Sequence, residues 1–268
     1  MMMRSIVDTA AVPLRITAIL VAVGAALTVV GLRVRGQEAL PKEKPEVVLR
    51  APAPIPSVDG IVVLFSGKPE EVAANWRKNF KQDDATWKVV DGAMMSGGGD
   101  IVSKQDFKDF QLHVEFKIPF EPGSKDQGRG NSGIGLQSHY EIQVLNSFGY
   151  AKPGKGDCGA VYSQYAPLIN ACRPPENWQN YDITFRAPRF DADGKQVEKA
   201  RVTVIQNGIT VQNNQEIDKP TGIQGDRPLD KPGPIYLQDH GHAVQFRNIW
   251  VIPLPEKGSD HYESRQAE

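Results

Sequence analysis

What most limits the fold of this chain is the brevity of its apolar runs. From Ile61 to Leu254 they are nearly all five to nine residues long: IVVLF, TWKVV, FQLHVEFKI, SGIGLQ, YEIQVL, YDITFRA, ARVTVIQNGITV, PIYLQD and VQFRNIWVIPL. Several alternate apolar and polar residues, the period of a strand with one buried face. Between them stand VDGAM, SGGGD, DADGK and QNGIT, where glycine supplies the positive φ that tight turns need. Helical spacing is scarce, and EVAANWRKNF from Glu71 is the one short helical candidate. Many short strands with regular turn signals and no internal repeat predict a single all-β domain over residues 59–255, a sandwich of two antiparallel sheets.

The flanks read differently. Ile16 to Leu32 is an uncharged run of 17 residues with Arg4 and Arg15 before it and Arg33 and Arg35 behind. Residues 1–36 are therefore expected to be a signal peptide or an uncleaved membrane anchor, and the rest an exported protein of the periplasm or cell surface. Residues 37–58 hold five prolines and no apolar period, as an extended linker would. The charged segment 256–268 is expected to be a disordered tail. Beyond residue 36 there are 27 Lys and Arg against 31 Asp and Glu, a balance without the basic footprint of a nucleic-acid binder. The membrane would be met only through the N-terminal segment. Cys158 and Cys172, the only cysteines, are plausible disulfide partners after export. The alternative is two buried free thiols.

Candidate chemistry centres on GNSGIGLQSHYEIQVLNSFG, residues 130–149. Strand parity puts Tyr140, Ile142 and Val144 on one face, the natural core side, and Glu141 and Gln143 together on the other. Glu141 is then either a solvated acid or a groove acid, and the glycines before it favour the groove by leaving room for a ligand. A double-displacement glycosidase needs two carboxylates about 5 Å apart, yet the second position here is an amide. Glu115 and Asp239 are the acids that other strands offer. A second constellation ends PIYLQDHGH: Gln238 and His240 alternate at a strand end, and Asp239, His240 and His242 form a weak metal-binding candidate. Tyr162, Trp178 and Trp76 are candidate stacking platforms for sugars, each weighed against a place in the core, and Trp250 is expected to pack.

Taken in order, LFSGKPEEVAANW, WKVVDGAMMSGGGDIVSKQDFKDFQLHVEFKIP, GNSGIGLQSHYEIQVLNSFG, GAVYSQYAPLINACRPPENWQNYDITFRAPRFDADGK and GPIYLQDHGHAVQFRNIWVIPL resemble the 3-keto-disaccharide hydrolase family over the whole folded domain. The resemblance implies a concanavalin A-like jelly roll acting in bacterial saccharide degradation. It also implies a carbohydrate partner already oxidised at C3 by a separate oxidoreductase. At Asn146 the chain departs from the resemblance, since relatives more often carry Asp there.

Such a substrate accounts for the missing acid. A C3 ketone acidifies the C2 proton, so one base can start an elimination that expels the glycosidic oxygen, and water then adds back. The needs are a base, donors or a cation for the enolate oxygen, and a proton for the leaving group. Glu141 and His240 are the catalytic candidates, one as base and the other assisting departure. Asn131, Gln143 and Gln238 would orient the sugar or bind the enolate oxygen, with Tyr162 and Trp178 as platforms. Arg129, Arg247 or a divalent metal ion would supply positive charge. A lectin-like carbohydrate-binding domain without turnover is the rival reading.

Overall fold

The computed structural model describes residues 43–79, 81–223 and 227–257. Its strands, in chain order, begin with β1 (Val62–Phe65), β2 (Trp76–Lys78), β3 (Lys88–Val90), β4 (Ala93–Met95) and β5 (Ile101–Phe107). They continue with β6 (Phe110–Lys117), β7 (Ser132–Leu136), β8 (Tyr140–Val144), β9 (Trp178–Arg186) and β10 (Arg189–Phe190). The last are β11 (Gln196–Glu198), β12 (Arg201–Gln206), β13 (Ile209–Glu216), β14 (Gly233–Leu237) and β15 (Gln245–Pro253). The predicted helix near Glu71 is a short α1, Glu70–Asn75, that gives way to β2 at Trp76. Trp76 is fully buried with its indole N–H on the Leu64 carbonyl, so it belongs to the core and not to a sugar platform. The strands β4 and β5 lie outside the runs picked from the sequence, because IVSKQDF is apolar only at its ends.

These strands form two main antiparallel sheets, one ordered β13-β12-β9-β6-β15-β4-β3 with β1 also on β15, the other β2-β5-β14-β7-β8. The fold is an all-β, concanavalin A-like jelly-roll sandwich. Alternation decides what lies between the layers. Leu112, Val114 and Phe116 of β6, and Tyr181, Ile183 and Phe185 of β9, face Ile134 and Leu136 of β7 and Tyr140, Ile142 and Val144 of β8 in one core. Burying each large side chain is worth about 1.5–3 kcal/mol. Tyr140 packs on Phe185 with ring centroids 5.6 Å apart. The Tyr181 hydroxyl crosses the core to donate to the Gln143 carbonyl at 2.7 Å. The Asn207-Gly208 turn joining β12 to β13 has both residues at positive φ, as a two-residue hairpin requires.

Residues 1–36, read above as a signal or anchor, and 258–268 of the expected tail lie outside the described residues. The described part of the Pro-rich linker is extended but not free. Val48 N–H donates to Asn177, Ala53 N–H to Glu115, and Arg247 to the Arg50 carbonyl. Its backbone groups thus find partners on the outer face of the larger sheet. Cys158 and Cys172 are buried free thiols rather than the favoured disulfide. The two thiols neighbour each other, and each also meets an oxygen: the Tyr181 hydroxyl at 3.1 Å from Cys158 and the Arg173 carbonyl at 3.4 Å from Cys172.

Candidate active site

The smaller sheet carries a cleft of about 590 Å³ on the face away from the core. Its floor is set by two glycines of β7. Across the sheet Glu141 is in register with Gly135, and Gly135 with Tyr236; one rung on, Gln143 is opposite Gly133. A Cβ at position 133 would come within 2.5 Å of Glu141 Oε1 and 2.8 Å of Gln238 Oε1. One at 135 would meet Ile223 and Tyr236 at 2.7 and 2.8 Å. The acid of β8 and the amide of β14 therefore lean toward each other over bare backbone, which any larger residue of β7 would prevent.

Glu141 sits there with few donors. Burial first, and then the negative charge of Asp100, push its carboxyl up to about 7. Thr221 Oγ1 accepts from the Glu141 N–H at 3.0 Å and so stitches the segment before Ile223 to β8. The Gln143 side chain has two useful orientations. Turned one way its NH2 donates to Gln127 at 2.8 Å and Asn131 at 3.2 Å. Turned the other way it donates to the Ser132 carbonyl at 2.9 Å and Glu141 Oε1 at 3.0 Å. A carboxylate at Glu141 suits the second arrangement and a protonated acid the first.

The lining of this cleft includes Glu141, Gln143, Asn131, Tyr162, Gln238 and His240, all named from the sequence. Tyr236, Gln127, Thr221 and Ile223 also line it and were missed. Tyr236 had a signal, since it shares a face of β14 with Gln238. The loop residues had none. The Tyr236 hydroxyl is held by Asp100 and Gln238, and Asp100 Oδ1 also accepts from the Asp239 N–H at 2.8 Å.

Three sequence candidates lie elsewhere. Trp178 and Arg247 are on the larger sheet, the guanidinium 4.0 Å from the indole ring and bonded to Glu115 at 2.7 Å. Arg129 is fully buried, 4.4 Å over the Tyr150 ring. None of the three lines the cleft: strand parity fixes a face of a strand but not which sheet carries it, and Arg129 precedes β7 in a loop where parity says nothing.

Asp239, His240 and His242 do not converge on a metal site, although both histidines line the cleft. Asp239 takes the Gly99 and Gly241 amides, His242 Nδ1 lies 2.8 Å from Glu121, and His240 stands exposed at the rim. Among the described residues no three His, Cys, Asp or Glu are grouped to hold a metal. Glu115, on the outer sheet, and Asp239 leave Glu141 as the one carboxylate among the described residues that line the cleft. Asn146 is buried just past the end of β8, accepting from the Phe148 N–H at 3.2 Å. Its difference from relatives falls there and not on the cleft wall.

The model of the 3-keto-alpha-glucoside-1,2-lyase-like domain matches residues 60–252. Among solved structures, a candidate glycosyl hydrolase from Parabacteroides distasonis is 37% identical, covers 76% of this chain and 94% of its own, and has a TM-score of 0.64. A second candidate glycosyl hydrolase of that organism, 21% identical, covers 74% of this chain and 95% of its own at a TM-score of 0.53. That second likeness is one of fold. No curated protein matches the chain.

Proposed function

Because the chain belongs to the 3-keto-alpha-glucoside-1,2-lyase-like family and is a carbohydrate-active protein of glycosyl hydrolase type, we propose that it cleaves the glycosidic bond of 3-keto-glycosides by elimination and hydration. The observation that carries this reading is Glu141 as the one carboxylate among the described residues that line the cleft, beside amides, hydroxyls, imidazoles and Ile223. A lone acid with its carboxyl raised to about 7 is suited to proton abstraction near neutral pH and not to double displacement.

In this scheme Glu141 takes the C2 proton and the electron pair moves into the C2–C3 bond and onto the ketone oxygen as an enolate. Gln238, Gln143 and Asn131 supply the N–H donors that hold the developing charge. The enolate then re-forms the ketone, the C1–O bond breaks, and the departing oxygen takes a proton from His240 at the rim. Water adds at C1 and a proton returns to C2, so the net reaction is hydrolysis. Tyr162 walls the cleft beside the sugar. We propose export as well, on the strength of the uncharged run from Ile16 to Leu32.

The test is turnover of a 3-keto-glucoside in D2O beside its unoxidised parent. Release of aglycone from the keto sugar only, with deuterium at C2 of the product or recovered substrate, is the expected outcome. Cleavage of the unoxidised glycoside without C2 exchange would overturn the scheme. Binding of the keto sugar without product would favour a lectin-like role, for which the amide-rich lining is also suited.

A further inference from the structure

The outer face of the larger sheet has a cleft of its own, about 370 Å³, between residues 50–53, β6, β9 and β15. Its two acids are already engaged within the protein, Glu115 buried and Asp182 about half exposed. Glu115 accepts from Ala53 N–H, Asn248 and Arg247 at 2.6, 2.9 and 2.7 Å. Asp182 holds His113 Nδ1 at 2.6 Å and Asn180 at 2.7 Å.

What is left without partners is a set of donors. His113 Nε2, Gln179 Nε2 and Trp250 Nε1 are buried with no hydrogen bond among the described residues. The His113 and Gln179 side chains are only 4% and 1% exposed, so water does not substitute freely. Burial alone would lower the pKa of His113, but its hydrogen bond to Asp182 and the nearby negative charges of Asp182 and Glu115 outweigh that and raise it to about 9. At neutral pH Nε2 therefore carries a hydrogen, and Glu115 Oε1, 3.6 Å away, is beyond bonding reach.

The cations around the cleft point the same way. Arg50 contributes its carbonyl to Arg247, while its exposed side chain makes no hydrogen bond or ion pair among the described residues. Arg173 gives one nitrogen to the Trp178 carbonyl at 2.8 Å. Burial and then the charge of Arg50 depress Arg173, and both arginines line the cleft. Lys117 and Arg247 add charge within 5.2 and 4.0 Å of the Trp178 ring.

We propose that this outer cleft is a second carbohydrate site, specific for an anionic sugar whose carboxylate or phosphate sits between Arg50 and Arg173 while its ring lies against Trp178 and Trp250. Paired guanidiniums match such oxyanions bidentately, and the indole surfaces left uncovered by Arg247 and Lys117 over Trp178 and by His113 stacked on Trp250 supply apolar contact. The site is separate from Glu141 and needs no turnover there.

Titration of the intact protein with glucuronate, glucose 6-phosphate, glucose and inorganic phosphate, followed by calorimetry, tests it. Glucuronate or glucose 6-phosphate should bind while glucose does not, and the tighter of the two identifies the acid. Arg50→Ala, on an exposed residue where folding is not at risk, and Arg173→Ala should each weaken binding at least tenfold. Glu141→Gln should leave it unchanged, which separates this site from the catalytic cleft. Absence of binding by both sugar acids, or binding indifferent to both arginine variants, would refute the proposal. Inorganic phosphate binding as tightly as the sugar acids would refute its carbohydrate part.

Discussion

Two glutamates of this sandwich are almost equally buried, Glu141 at 4% and Glu115 at 5% exposure, and they behave in opposite ways. Glu115, on the outer sheet, is drawn down to about 2, since the neighbouring His113 and the bonds from Asn248, Ala53 and Arg247 overcome the cost of burial. Glu141, on the inner sheet, is pushed up to about 7, because burial and Asp100 act on it without such donors. Depth in the protein is common to both. The number of donors aimed at the carboxylate is the difference, and it separates an acid that fastens the Pro-rich segment to the sheet from one left reactive.

The largest effect should come from removing the reactive member. Glu141→Gln keeps the shape and loses the base, so kcat on a 3-keto-glucoside should fall by about 10³-fold, within the range of general-base contributions. The same variant should be more stable than the parent at pH 8. A carboxyl whose folded pKa lies above its unfolded one contributes stability below about 4.5 that is lost as pH rises through about 7. Denaturant melts at pH 5 and pH 8 measure this. Parental turnover, or a variant that gains no stability at the higher pH, would erase the contrast between the two acids.

The complementary change is Glu115→Gln. Its folded pKa is below the unfolded value, so its contribution is complete above about 4.5 and is lost as pH falls toward 2. The loss at pH 7 should be about 3 kcal/mol at most for a shift of this size. Turnover per folded molecule should be unchanged, because Glu115 is on the opposite face from the cleft. Chemical denaturation at pH 7 beside kcat for the same preparation decides the matter. A variant of parental stability would mean that the bonds to the linker segment are replaced by water at no cost.

This contrast was half legible in the sequence. Alternation in YEIQVL put Glu141 and Gln143 on one face, and the glycines of SGIGL marked a surface open to a ligand. Both follow from local geometry. The same reasoning could not separate Glu115 from Glu141, since each is an acid in an alternating strand and the donors around Glu115 come from Ala53, Arg247 and Asn248, remote in sequence. Trp178 and Arg247 were drawn toward the sugar for the same reason. Asn146 stands where relatives more often carry an acid, but it is a buried residue past the end of β8 that does not line the cleft. Tyr236 was overlooked because a tyrosine inside PIYL reads as core. Only the register β8-β7-β14 shows it level with Glu141.

That register also gives the finest test. Asp100 does not line the cleft; it holds the hydroxyl of Tyr236, which does, and its charge is the second cause of the raised carboxyl at Glu141. Asp100 is thus a positioning residue acting through its field. Asp100→Asn preserves the capacity to accept from the Asp239 N–H and removes the charge. Since burial, the larger cause, remains, the midpoint of the alkaline rise in kcat should move down by less than one pH unit, an effect below about 1.4 kcal/mol. KM for the keto sugar should stay near its parental value if Tyr236 keeps its place. A merely structural role for Asp100 would lower kcat at every pH and leave the midpoint where it was. A shift upward would mean that the carboxylate of Asp100 helps Glu141 to ionise, against the sign that two like charges across one glycine floor require.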